Sequence, residues 1–247
     1  MKLQRDFLAK TTNNPFNIEV EKAEGVYIFD KQGNKYFDLI SGIAVSNLGH
    51  NNLAINDAIK KQVDKYLHVM VFGEYSQTPQ LELAAKLNSI LPEKLTTSYF
   101  VNSGTEANEA ALKLAKRYTG RTEIVSFYKS YHGSTHGSLS VTGNETKKNA
   151  FRPLLPDVRF IHFDNILDLK NITKKTACVI IEPIQGDAGV RIPTKVFMEA
   201  LRSKCDETGT LLIFDEIQTG FGRTGKFFAF EHFNVVPDIL TIAKAMG

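Results

Sequence analysis

Cysteine is scarce in this chain, with two among 247 residues. Cys178 and Cys205 stand at no spacing that could bind a metal. Two thiols in a chain this long fit a reducing compartment, so a cytoplasmic location is expected. Cys178 lies in an apolar run and Cys205 on a helix, which makes both packing residues. Charge of one sign is also lacking: the net charge is +3. With no basic run or basic helix face, nothing points to nucleic acid or to a membrane surface as partner. No apolar run reaches membrane-spanning length. The first residues, MKLQRDFLAKTTNN, carry charges where a secretory signal has its apolar stretch. Linkers, low-complexity tracts and repeats are missing too. The 43% of hydrophobic and 23% of charged residues describe an ordinary globular protein. Its length suits one large domain, or one domain plus a piece of another.

The organising stretch is residues 211–225, LLIFDEIQTGFGRTG. Its four leading apolar residues predict a strand buried on both faces, of the kind found in parallel sheets covered by helices. The run stops at Asp215 and Glu216. Ligands of open α/β sheets sit at the carboxyl ends of strands, so Asp215 is placed to touch one. A buried carboxylate needs a cation or several donors, and no Lys or Arg is close by in sequence. Its partner is therefore expected to belong to something bound.

Along the chain, residues 25–39 predict a hairpin with its turn at 31–34 and Gly33 supplying positive φ. Helical spacing of apolar residues predicts a helix over 53–68. A second helix is expected to start at Thr78 as N-cap and Pro79, and to end before Pro92. Residues 98–101 read as a short strand leading into NSGTEANEAALKLAKRYTG. There Ser103 and Glu106 make a capping box, while Ala107, Ala110, Ala111, Leu114 and Ala115 lay an apolar stripe ended by Gly120. A strand, a Ser-Gly-Thr turn and a helix N-terminus suit a phosphate, although a plain capped helix accounts for the same residues. Strands are expected at 123–127, 158–163, 177–181 and 239–242, and a helix over 194–208 with Phe197, Leu201 and Cys205 inward. His132 and His136 stand four apart, but the intervening glycine opposes a helix that would present both to a metal, so no metal site is expected. The alternation gives an α/β domain with a mainly parallel sheet covered by helices, from residue 70 to 247, after an N-terminal segment over 1–69.

Two motif matches fail on context. Gly220, Gly222 and Gly225 spell GxGxxG, but DEIQT separates them from the strand and the aromatic FFAFEHF follows where a helix should open. Gly220 to Lys226 also spells GxxxxGK, yet Phe227 has no oxygen for Mg²⁺. What remains is a phosphate-ready turn at 103–105, a carboxylate at Asp215 and a lysine at Lys244, each at or beside a strand end. Pyridoxal phosphate needs these three: a helix N-terminus for its phosphate, an anion for its ring nitrogen and an amine for its aldehyde.

At this point the chain resembles a family. NSGTEANEAALKLA, YHGST, IEPIQGDAGV, FDEIQTGFGRTG and PDILTIAKAMG look like the successive signatures of class III aminotransferases, and with GIAVSNLGH they are most similar to the acetylornithine and ornithine subgroup. The resemblance implies the large domain of a fold-type I pyridoxal phosphate transferase, working as a homodimer on a small amino donor and a 2-oxo acid. It implies that Lys244 forms the Schiff base and that Asp215 pairs with the ring nitrogen. It also implies Gly104 and Thr105, beside Ser103, for the phosphate, Tyr131 stacked on the ring and Gln218 on its hydroxyl. His132, Glu182, Glu216 and Ile217 are expected around the cofactor. In the family the chain continues past this lysine, so the C-terminal domain is expected to be absent from this sequence. Three positions depart from the ornithine-type pattern: Ser134 stands where an arginine grips the substrate carboxylate, Asp187 where a glutamate stands, and Asn13 where an assisting tyrosine falls. Serine cannot form the bidentate fork of arginine. The expected reaction is transfer from an ω-amine donor, N-acetylornithine or ornithine-like, to 2-oxoglutarate. The alternatives are another ω-amino acid or diamine as donor, a nucleotide-binding module using the loop from Gly220 to Lys226, or a non-enzymatic fragment.

Overall fold

A computed structural model describes residues 7–9, 11–70 and 73–246. The charged residues at the very start of the chain and the final glycine, both used above, lie outside the described residues. The chain divides into two units, Met1–Ser41 with Leu48–Lys65, and Gly42–Asn47 with Tyr66–Gly247.

In the first unit β1 (Val20–Glu24), β2 (Tyr27–Asp30) and β3 (Lys35–Phe37) form an antiparallel sheet in that order. The expected hairpin is β2 and β3, with Gly33 at φ 84° in the turn. Asp30 locks that turn by accepting from the amides of Gln32 and Asn34, the Asn34 side chain and the Tyr36 hydroxyl. A single turn, α1 (Ser41–Ala44), whose last three residues are counted with the second unit, has positive φ at all four residues. The helix expected over 53–68 is α2 (Leu53–Val63), capped by Asn52. It ends early, and none of its residues is buried.

The second unit holds β4 (Glu123–Phe127), β5 (Val158–Ile161), β6 (Thr176–Ile181), β7 (Leu211–Asp215) and β8 (Ile239–Thr241), all parallel, in the order β5-β4-β6-β7-β8. The central strands alternate between two cores. Val179, Ile181, Leu212 and Phe214 pack with Phe127, Phe197 and Leu201, while Cys178, Ile180 and Ile213 pack with Ala111, Leu112 and Ala115. Both faces are thus covered, which is why these strands read as unbroken apolar runs. The first core is covered by α7 (Lys195–Thr208), which begins at the Thr194 cap and ends at Gly209, φ 64°. The two cysteines fall in opposite cores, and burial pushes both thiols up to about 12.

Three expectations for this unit are corrected. Helix α3 (Thr78–Ile90) takes Gln77, not Thr78, as N-cap, with no side-chain cap bond. Residues 98–101 are extended but join no sheet, and Tyr99 is well exposed. A β-prone run becomes a strand only where a neighbouring strand takes its backbone groups. Helix α4 (Gly104–Thr119) buries Asn108, Ala111, Leu112 and Ala115, so the buried stripe is turned from the one expected. Leu114 is exposed, and Ala107, Ala110 and Leu114 face an open cleft. Two short helices, α5 (His136–Val141) and α6 (Glu145–Lys148), were not expected from their Ser- and Lys-rich sequence. They are set by contacts: Ser138 donates its amide to Glu109 and its hydroxyl to the Thr105 carbonyl.

Candidate active site

Chain order reverses beside β4, which has β5 on one side and β6 on the other. At such a switch point the loops after the strands part and leave a crevice. Here that crevice is part of a cleft of about 1340 Å³, into which the strand ends deliver their side chains. The loop after β4 brings Tyr131, His132 and Ser134, β6 brings Glu182, β7 ends in Asp215, and Lys244 follows β8.

Asp215 is 4% exposed. Its Oδ2 accepts from Asn108 Nδ2 at 2.8 Å and meets His132 Nδ1 at 2.7 Å, and its Oδ1 accepts from the Ile217 amide at 3.1 Å. The chain itself thus supplies donors to the carboxylate, Asn108 and His132 from 107 and 83 residues away. Asn108 is fully buried, donates also to the His132 carbonyl at 2.7 Å, and accepts from the Thr241 hydroxyl at 2.8 Å. One amide thus ties α4, the loop after β4, β7 and β8 around the carboxylate. Asn108 and Thr241 were missed in the sequence. The available signal was an asparagine within an alanine-rich helix that follows the phosphate-ready turn. His132 Nε2 is buried without a hydrogen-bond partner among the described residues.

Glu182 accepts from the Tyr131 amide at 2.7 Å and the Gly186 amide at 3.1 Å, and burial pushes its carboxyl up to about 7. Burial also holds the Lys244 amine below the ordinary lysine range, against the pull of Asp215, Glu182 and Asp187. Lys244 has φ 46°, a conformation that costs a residue with a Cβ and marks a constrained position.

At the start of α4, Ser103 takes up the Glu106 amide with its Oγ and the Ala107 amide with its carbonyl. Glu106 completes the box on Asn102, accepting its amide at 2.8 Å. The amides of Gly104 and Thr105 stand at the helix N-terminus, where the dipole favours an anion. A Cβ on Gly104 would meet Ile217 Cδ1 at 2.9 Å, so the glycine lets the helix end abut the turn after β7. The Thr105 hydroxyl is bound to Thr135 at 2.8 Å. Gln218 lines the cleft and lies so close to Gly186 that a Cβ there would collide with its amide oxygen.

Glu216 is turned away from these groups. Its carboxylate accepts from the Ala229 and Phe230 amides and the Thr219 hydroxyl, so its side chain holds the glycine loop and not the cleft. Burial pushes it up to about 7. That loop runs through turns into the short 3-10 segment Ala229–His232, unlike the long helix of a dinucleotide site. Ser134 lines the cleft with its hydroxyl 3.1 Å from that of Tyr131. Asp187 lines it too and pairs with Lys147, whereas Asn13 is an exposed residue of the first unit. Among the described residues no group of three or more His, Cys, Asp or Glu could hold a metal ion, and no helix is long and apolar enough to cross a membrane.

The family model described as aminotransferase class-III matches residues 8–247. A [LysW]-aminoadipate semialdehyde/glutamate semialdehyde transaminase of Sulfolobus acidocaldarius is 47% identical over 93% of the chain and 59% of its own length. An acetylornithine aminotransferase of Methanopyrus kandleri is 44% identical over 96% of the chain and 60% of its own. The structure of an amine transaminase from an uncultivated Pseudomonas species, in its PLP-bound form, is similar with a TM-score of 0.90 and 27% identity over 98% of this chain and 63% of that one. The chain thus spans about three fifths of the length of the relatives it matches.

Proposed function

The chain belongs to the class-III aminotransferases, and from that premise we propose that its protein moves an amino group from an ω-amine donor, N-acetylornithine or ornithine-like, to 2-oxoglutarate. The observation that carries this is the opening of Asp215, Lys244 and the N-terminus of α4 into one cleft. Class-III aminotransferases use pyridoxal phosphate, and the residues fit it. The Gly104 and Thr105 amides would hold its phosphate, Asp215 its ring nitrogen, Lys244 its aldehyde carbon, Tyr131 its ring face and Gln218 its hydroxyl. When bound, the cofactor supplies an electron sink for the substrate carbon.

The chain's own residues do the rest. Asn108 and His132 clamp Asp215 Oδ2, so the carboxylate cannot swing away from a cationic ring nitrogen. Burial shifts the Lys244 amine toward its neutral form, in which Nζ can take up and hold the proton that leaves the substrate carbon. Glu182 is tied to Tyr131 and Gly186, which fixes the approach of the loops after β4 and β6.

Ser134 favours a second reading, with another ω-amino acid or diamine as donor, because its hydroxyl offers no fork for a carboxylate. Residues 70–247 would be the cofactor-binding domain behind the segment 1–69. A homodimer is supported by α2, which leaves Leu53 and Ile59 exposed. Borohydride reduction of the cofactor-treated protein should label Lys244 irreversibly, and a chain that takes no label there sinks the proposal. Asp215→Asn should keep the label and lose most transamination, and unchanged turnover would remove Asp215 from the chemistry. A panel of amine donors against 2-oxoglutarate separates the two donor readings.

A further inference from the structure

Turn α6 sets two adjacent lysines to different uses. Lys148 is 2% exposed, 3.2 Å from Glu145 and 3.8 Å from the centre of the Phe160 ring. Glu145 is held in turn by Arg152 at 2.6 Å. The turn is therefore anchored from below, and Lys147 is presented on another side. Its Nζ lies 4.4 Å from the centre of the Tyr131 ring and 2.9 Å from Asp187 Oδ1.

Tyr131 and Asp187 both line the cleft, so the ammonium sits against two of its wall residues. Near Tyr131 the lining is acidic, with Glu182, Asp187 and Asp215, and Lys244 is assigned to the cofactor; the cleft's other cations are Lys113, Lys116 and Arg117 on the second half of α4 and Lys94, paired with Asp238. An incoming carboxylate would meet three acids, and Ser134, neutral and bound to the Tyr131 hydroxyl, does not offset them. Lys147 can. Its side chain is 37% exposed and that of Asp187 35%, so water and solutes reach the pair. An ion pair this open is weakly held and is readily shared with a second anion, while the aromatic ring keeps the ammonium in place.

We propose that Lys147 is the cation that receives a substrate carboxylate, with Asp187 as the anion that it replaces. The proposal rests on the aminotransferase reading, since it supplies the substrate grip of that same cleft. It makes the position of Lys147 over the tyrosine, and not residue 134, decide that carboxylate-bearing substrates are taken.

The test uses glutarate, a dicarboxylate with no keto group to react, titrated calorimetrically into the cofactor-treated protein. Lys147→Met should weaken glutarate about tenfold or more, the loss expected for a charge-assisted bond. Lys147→Arg should stay within about threefold, because the charge is kept. Asp187→Asn should tighten glutarate, since the competing anion is gone, an effect that a merely structural ion pair would not give. Lys147→Met binding glutarate as tightly as the wild type, or Asp187→Asn weakening it, overturns the proposal. Should Lys147→Met fail to fold by its thermal melt, Asp187→Asn decides alone. Borohydride labelling of Lys244 is read in parallel and should be the same in every variant. No label even in the wild type overturns the aminotransferase reading, whereas a normal label with glutarate binding indifferent to residue 147 overturns only the role of Lys147.

Discussion

Replacing Asn108 by alanine tests how the site is built, because one buried amide joins four elements. The substitution removes the bonds from Nδ2 to Asp215 Oδ2 and to the His132 carbonyl, and takes Asn108 Oδ1 from the Thr241 hydroxyl, which keeps only the Phe214 carbonyl at 3.5 Å. A neutral hydrogen bond contributes about 1 kcal/mol and one to a charged group about 2 kcal/mol. With Asn108 fully buried, the total loss comes to about 4 kcal/mol. For a domain of this size that corresponds to a fall in Tm of roughly 8–16 °C. Urea and thermal melts followed by circular dichroism measure it. The same change leaves Asp215 held by His132 and the Ile217 amide alone, so cofactor affinity should drop as well, by about tenfold for the lost charge-assisted bond. A destabilisation under about 1 kcal/mol would refute the reasoning, for it would mean that the amide's bonds are replaced as soon as they are lost.

The pH profile of stability follows from two buried acids. Glu182 and Glu216 are both held up to about 7 by burial, above their values in the unfolded chain, so the folded state binds more protons in between. Their contribution is complete below about pH 4.5 and is lost as pH rises through 7, so urea melts from pH 5 to 7.5 should show falling stability. A flat or rising profile contradicts that burial. Gly143→Ala would drive a methyl into the Phe127 carbonyl oxygen, with the Lys129 amide also 2.9 Å away, backbone on both sides. The cost should be about 1–3 kcal/mol, and a melt superimposable on the wild type would show that the loop after β4 yields freely.

The parallel architecture was legible because both faces of the sheet are covered, which leaves apolar runs at Thr176–Ile181 and Leu211–Asp215 that no exposed strand would carry. Capping chemistry is local too, and Ser103, Gly120 and Gly209 act where their side chains or φ require, although Thr78 does not cap α3. The positions of Asp215 and Lys244 beside strand ends follow from chain order alone. Harder to see was anything that depends on which face of an element meets a neighbour. The stripe of α4 was misplaced because alanines occur on both of its sides, and composition cannot distinguish a face on the sheet from one on an open cleft. Residues 98–101 have strand composition but no ladder partner among the described residues.

The amino-acid sequence by itself determined the layers, the caps of α4, the family and the residues at strand ends, since each depends on neighbours within a few positions or on motif order. Tertiary structure alone decided what holds those residues: Asn108 and His132 on Asp215, Glu182 on the Tyr131 amide, Lys147 over the Tyr131 ring, and Glu216 turned to the glycine loop. These bonds join groups far apart in the chain, and a hydrogen bond specifies an angle and a distance in space that spacing along the chain does not encode.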